Sequence, residues 1–130
     1  MLRRTVLGFG AGLVLAGRAA AQGTPAPAAG DKKRFVVFYS PGPAFDHAKG
    51  LVEQPGIRAH GQYLQSLLAQ GRLVMAGPFM DNSNGGMSIL EAASLDEARA
   101  LVGDDPTVKA GLLKVEVKPW LTAFSRPFAG

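Results

Sequence analysis

The chain is 130 residues long and 47% hydrophobic, enough apolar material for the core of one domain and too short for two. Its formal charge of +4 falls to +1 once three leader arginines are set aside (fourteen Lys and Arg less Arg3, Arg4 and Arg18, against ten Asp and Glu), which leaves no basic stripe for nucleic acid. Cysteine is absent, so no disulfide and no thiolate metal site is available and packing must hold the fold.

Residues 1–21 read MLRRTVLGFGAGLVLAGRAAA. Two arginines, an apolar run from Thr5 to Gly17 and Ala19-x-Ala21 form the layout of a secretory signal peptide cut after Ala21. A membrane span needs roughly 20 apolar residues, and this run is shorter and is interrupted by Arg18. An uncleaved anchor is the competing reading. Arg3-Arg4 followed by Val6-Leu7 resembles a twin-arginine signal, with general secretion as the alternative. Either route predicts a bacterial periplasmic protein with no stable membrane anchor after cleavage. Residues 22–31 contain GTPAPAAG, which buries no apolar surface and reads as a flexible linker. The folded domain is expected over 32–126.

The domain opens on RFVVFYS (34–40), a β-branched and aromatic run expected as a strand. PGPAFDHAKGLVEQPG (41–56) follows. This stretch is either a solvated loop or a lid that turns Phe45 and His47 toward a pocket. A helix is expected over 57–70, with Ile57, His60, Leu64, Leu67 and Leu68 on one face and Gly71 at its C-terminal stop. Strands are expected over 72–79 and 86–93. A second helix starts at Ser94 in a Ser94–Glu97 capping box and ends at Gly103. Asp105-Pro106 then caps a short extra turn, closed by Gly111. Residues 112–120 form the last strand, alternating Val115 and Val117 with Lys114, Glu116 and Lys118.

The order β-α-β-β-α-β predicts an α+β, ferredoxin-like fold: an antiparallel sheet in spatial order 4-1-3-2 with two main helices on one face. Residues 35–39 offer apolar side chains to both faces, so the open face calls for a second copy, as in a dimeric α/β barrel.

Only two histidines are present, thirteen residues apart and without close-spaced ligand partners, so no metal site is expected. His60 on the apolar helix face has two readings. It is a buried imidazole bonded to backbone, or a general acid/base at a pocket, since an imidazole titrates near neutral pH. As a base it needs an orienting partner, and Asp105 is the candidate; capping and orienting are compatible roles for one carboxylate. Tyr39, Gly77 and Arg58 are the further binding candidates, Gly77 through nearby backbone N–H groups. On the helical wheel Arg58 points away from the apolar face.

AHGQYLQSLLAQGRLVMAGPF, then GGMSILEAASLDEARALVGDDPTVKAGLLKVEVKPW, resembles the YCII family. The shared features are the histidine early in the first helix, Gly-Arg-Leu and Ala-Gly-Pro around the second strand, Asp-Pro-x-Val-x-Ala-Gly, and Val-x-Val-Lys-Pro-Trp. The resemblance implies a dimeric ferredoxin-like fold, a His60–Asp105 active pair, and cofactor-free proton chemistry on small oxygenated rings. One family activity eliminates chloride from a chlorinated hydroxyquinol, and the fold is similar to that of muconolactone isomerase. The chain departs from the family in its leader, in the 41–56 stretch, and in having Ile57-Arg58-Ala59-His60 where many members have Arg-Pro-x-His. The function expected is an exported lyase or isomerase without cofactor, acting on a small acidic or phenolic substrate. The alternatives are a small-ligand-binding module without turnover and a purely structural homodimer.

Overall fold

The computed structural model describes residues 32–127. The leader and the linker, with the export reading, lie outside the described residues. Strands β1 (Lys33–Pro41), β2 (Leu73–Pro78), β3 (Gly86–Ala92) and β4 (Leu113–Trp120) alternate with helices α1 (Ile57–Ala69), α2 (Leu95–Gly103) and α3 (Pro106–Lys109). A 3₁₀ turn over Leu51–Glu53 precedes α1. The sheet order is β2-β3-β1-β4, all antiparallel, which is the predicted ferredoxin-like order read from its other edge.

Local chemistry sets the element ends. After α1, Gly71 takes a left-handed φ of 74°. Arg72 N–H donates to the Leu67 carbonyl and Gly71 N–H to that of Leu68, a full Schellman stop. The same pair of bonds recurs after α3. There Gly111 has φ 78°, Leu112 N–H reaches the Thr107 carbonyl and Gly111 N–H that of Val108. Both glycines turn the chain directly into a strand. At the start of α2, Ser94 accepts from Glu97 N–H, as the capping box predicts. The Glu97 carboxylate reaches one residue further back than expected, to Ala93 N–H at 2.7 Å, and also pairs with Arg72 at 3.1 Å.

The core lies between sheet and helices. Val37, Tyr39, Leu90 and Leu113 from the sheet meet Leu67 and Val102 from α1 and α2, and Phe35 packs with Ala92 and Ala98 beside them. The 41–56 stretch is fastened rather than loose. Gly42 and Ala44 N–H donate to the carbonyls of Leu112 and Gly111. The buried Gln54 amide donates to the Asp46 and Lys49 carbonyls and accepts from Asp46 N–H.

Gly86 starts β3 where the chain leaves no room for a side chain. A Cβ there would stand 2.7 Å from the Gly77 carbonyl oxygen, inside van der Waals contact with backbone that cannot swing away. Gly86→Ala is therefore expected to lower stability by about 1–3 kcal/mol, read as a lower urea midpoint at unchanged slope.

Candidate active site

A capped turn and the first turn of a helix bring the site together. Asp105 follows the end of α2, and its N–H donates to the Val102 carbonyl. Its side chain caps α3: Oδ1 accepts from Thr107 N–H at 2.9 Å and from Thr107 Oγ1 at 2.6 Å. Pro106 at the first helical position fixes the backbone angle for that cap. The other oxygen, Oδ2, lies 2.6 Å from His60 Nδ1. His60 sits in the first turn of α1, and Tyr63 one turn on donates its hydroxyl to the Leu101 carbonyl at 2.6 Å, holding α1 against α2. Residues 45 positions apart thus meet through one side chain that caps and orients at once.

The burial is asymmetric. The Asp105 side chain is 2% exposed and that of His60 16%. Burial pushes the Asp105 carboxyl upward, but the hydrogen bonds from His60 and Thr107 outweigh it and hold the group below the usual carboxylate range. Asp105 is therefore an acceptor at neutral pH, and Nδ1–H is the donor. Thr107 Oγ1 stands 3.4 Å from Nδ1. Nε2 is then the basic lone pair, and no protein hydrogen bond engages it among the described residues.

A cavity of about 560 Å³ opens beside this ring. Tyr39, His60 and Gly77 line it; Asp105 stands behind His60. Arg58 is exposed and is not part of the wall, so its candidacy as a binding residue is corrected. It projects from the outer side of α1, while its neighbour Ile57 faces the cavity. Of the two readings of 41–56, the lid that turns Phe45 and His47 to the pocket is not found. Phe45 is buried in the main core, His47 is exposed, and the 41–56 stretch reaches the cavity through Leu51 and Val52 instead.

Tyr39 meets His60 edge to face, with ring centroids 5.3 Å apart. Its hydroxyl bonds Ser88 Oγ at 3.0 Å. Burial pushes the Tyr39 phenol up to about 12, so it stays neutral and acts as wall and hydrogen-bonding group rather than as a base. Gly77 lines the cavity, but its own N–H is not the one turned outward. Phe79 N–H bonds the Gly85 carbonyl, and antiparallel alternation then turns Gly77 N–H into the ladder toward Met87. Beside it, the N–H of Ala76 turns away from the ladder, and Ala76 also lines the cavity. Pro78 has none to offer.

Sequence reasoning missed Thr107 and Asn84. Thr107 had a signal: it is the second helical residue after an Asp-Pro cap, the place whose N–H a capping carboxylate takes. Asn84 lies in MDNSNGG with a left-handed φ of 59° and lines the cavity.

Residues 33–121 match the family model of the YCII-related domain. The uncharacterised protein YjpA of Bacillus subtilis (strain 168) is 39% identical over 67 residues, which are 52% of this chain and 78% of that protein. The structure of 5-chloro-2-hydroxyhydroquinone dehydrochlorinase (TftG) from Burkholderia phenoliruptrix AC1100, in complex with 2,5-dihydroxybenzoquinone, is 28% identical with a TM-score of 0.53, over 68% of this chain and 93% of that one. A dimeric ferredoxin-like protein from an uncultured marine organism is 11% identical with a TM-score of 0.43, over 74% of this chain and 94% of that one.

Proposed function

Because the chain belongs to the YCII-related domain family, we propose that it is a cofactor-free lyase or isomerase that moves protons on a small oxygenated ring, with His60 as base and acid and Asp105 as its orienting partner. The observation that carries this reading is the 2.6 Å contact between His60 Nδ1 and Asp105 Oδ2 at the wall of a cavity. Nε2 accepts a proton from a substrate hydroxyl. The imidazolium forms against a carboxylate already in place, and the proton returns to a ring carbon. Without a leaving group the sequence of steps is an enol–keto isomerisation. With a halide on the carbon that receives the proton, the freed imidazole takes a second hydroxyl proton as the C–halogen bond breaks and the halide leaves with its electron pair, a net loss of hydrogen halide, which is the reaction class named for the Burkholderia relative. Asp105 remains ionised throughout. Ala76 N–H is the fixed dipole available to the developing oxyanion.

The test is deuterium uptake from solvent into the ring carbons of benzene-1,2,4-triol under nitrogen, followed by proton NMR, with chloride release from its chlorinated counterpart as second readout. Acceleration over buffer by the wild-type protein supports the reading. A protein that accelerates neither sinks it, and saturable binding without acceleration leaves the binding-module alternative.

Export to the periplasm is part of the proposal and rests on residues 1–21. So is the homodimer. The face away from the helices carries Phe38, 37% exposed, and Met75, 42% exposed, and a second sheet is the apolar partner such a face fits. Phe38 stands opposite Met87 and Glu116 in the sheet. Phe38→Glu would therefore place a second carboxylate beside Glu116 on that face. We expect wild type to sediment at dimer mass and Phe38→Glu at monomer mass with an unchanged far-ultraviolet spectrum. A wild-type chain that sediments as a monomer at tens of micromolar overturns the assembly.

A further inference from the structure

Resting on the site just proposed, we infer that the cavity takes an uncharged ring compound and discriminates against carboxylates. Among the described residues no Lys, Arg, Asp or Glu side chain lines it. Its side-chain polar groups are those of His60, Tyr39, Gln65 and Asn84, and the Tyr39 hydroxyl is already bonded to Ser88. The rest of the wall is apolar, with Leu64, Leu68 and Met87 among its members. A carboxylate entering this space leaves water without meeting a fixed cation.

The one group that can become cationic does not change this. His60 sits 2.6 Å from Asp105, whose carboxyl is held ionised, so an imidazolium formed there is neutralised by its own partner. An incoming anion meets a pair of zero net charge, with the negative member behind the positive one. The nearest arginine in sequence does not help either, because Arg58 is exposed and it is Ile57 that lines the cavity. A neutral hydroxylated ring faces none of these penalties. It covers the apolar wall, gives its hydroxyl to Nε2, and finds donor and acceptor without charge in the amides of Gln65 and Asn84. The left-handed backbone at Asn84, φ 59°, sets an amide residue at the cavity rim in a conformation that asparagine tolerates better than most side chains. Of the acidic and phenolic substrates, the phenolic class is the one this wall accepts.

The test compares two molecules of one shape that differ in charge. Titration calorimetry at pH 7 with 4-hydroxybenzamide and 4-hydroxybenzoate is expected to give at least tenfold tighter binding of the amide. Ile57→Arg and, separately, Leu68→Lys each install a cation on the wall, and Leu68 is 53% exposed, so the substitution leaves the core intact. Each variant is expected to shift the ratio at least tenfold toward the carboxylate. Equal or tighter binding of the carboxylate by wild type overturns the inference, as does binding of neither compound or a ratio that both variants leave unmoved. The readout is affinity, not turnover. Preferred binding of the amide with no catalysis therefore sinks the proton-transfer reading alone. Preferred binding of the carboxylate with His60-dependent exchange sinks the charge inference alone.

Discussion

Ring-carbon exchange by His60→Ala is expected to fall about a hundred- to ten-thousand-fold below wild type, the usual range for loss of a positioned general base. The fold should survive. His60 is partly exposed at the cavity side, and its removal enlarges a space that is already open rather than hollowing the packed core around Leu67, Leu90 and Val37. The residue it leaves behind is Asp105, which keeps both bonds from Thr107. His60→Gln is the sharper variant. Its amide can still donate toward Asp105 and fill most of the imidazole's volume, yet it cannot carry a proton. It should bind 4-hydroxybenzamide near wild-type affinity and be as slow as the alanine variant. Full exchange activity in His60→Gln would remove the histidine from the chemistry and leave it a wall residue. Asp105→Asn should be slow for a different reason. An asparagine amide directed at Nδ1 favours the tautomer with the proton on Nε2, so the lone pair meets Asp105→Asn instead of the substrate.

What the sequence discloses here is local. The glycine stops at Gly71 and Gly111, the Ser94 cap and the Asp105-Pro106 start depend on neighbours within a few residues, and each stands within a residue of its expected place. The strands were legible for a similar reason. Alternation in 113–120 and the continuous apolar run in 35–39 report edge and centre, because an edge strand buries one face and a central strand two. The helical wheel placed His60 and Leu68 on the side that looks toward the sheet, but a wheel cannot say what fills the space beyond. Leu67 is packed in the core at 3% exposure while Leu68, next along the same face, is 53% exposed and borders the cavity. The wheel did set Ile57 on that side and Arg58 away from it, whereas no periodicity in 41–56 told Phe45 from Leu51. Direction was readable and occupancy was not. The His60–Asp105 contact is tertiary, and the first turn of α1 and the cap of α3, 45 residues apart, gave no local sign of meeting; Asp105 was a candidate partner that the family resemblance singled out. The bulge between Leu73 and Met75, which shifts the β2 register, carries no glycine or proline to announce it.

Asp105→Ala is expected to cost about 3–4 kcal/mol of stability, against about 1 kcal/mol for Asp105→Asn, measured as urea midpoints on the same day and buffer. Alanine removes the cap of α3, worth about 1 kcal/mol. It also strands Thr107 N–H, Thr107 Oγ1–H and His60 Nδ1–H, and buried donors without acceptors cost about 1–3 kcal/mol each, less where water reaches them. Thr107 is 2% exposed and has little access to such water, while His60 borders the cavity. Asparagine keeps the cap and an acceptor for Thr107, and loses chiefly the charged half of the His60 contact. The pH dependence separates the two further. The folded-state pKa of Asp105 lies below its ordinary value, so the unfolded chain takes up the proton first as pH falls. The stability this carboxylate contributes is fully present above the unfolded pKa of about 3.9 and is lost as pH drops through the lower folded value. The gap between wild type and Asp105→Asn attributable to Asp105 ionisation should therefore stay level from pH 7 to about 5 and close below about 4. A gap that instead widens on acidification would mean the carboxyl is protonated more readily folded than unfolded. That would make it a hydrogen-bond donor at the site and remove the anion on which the orientation of His60 depends.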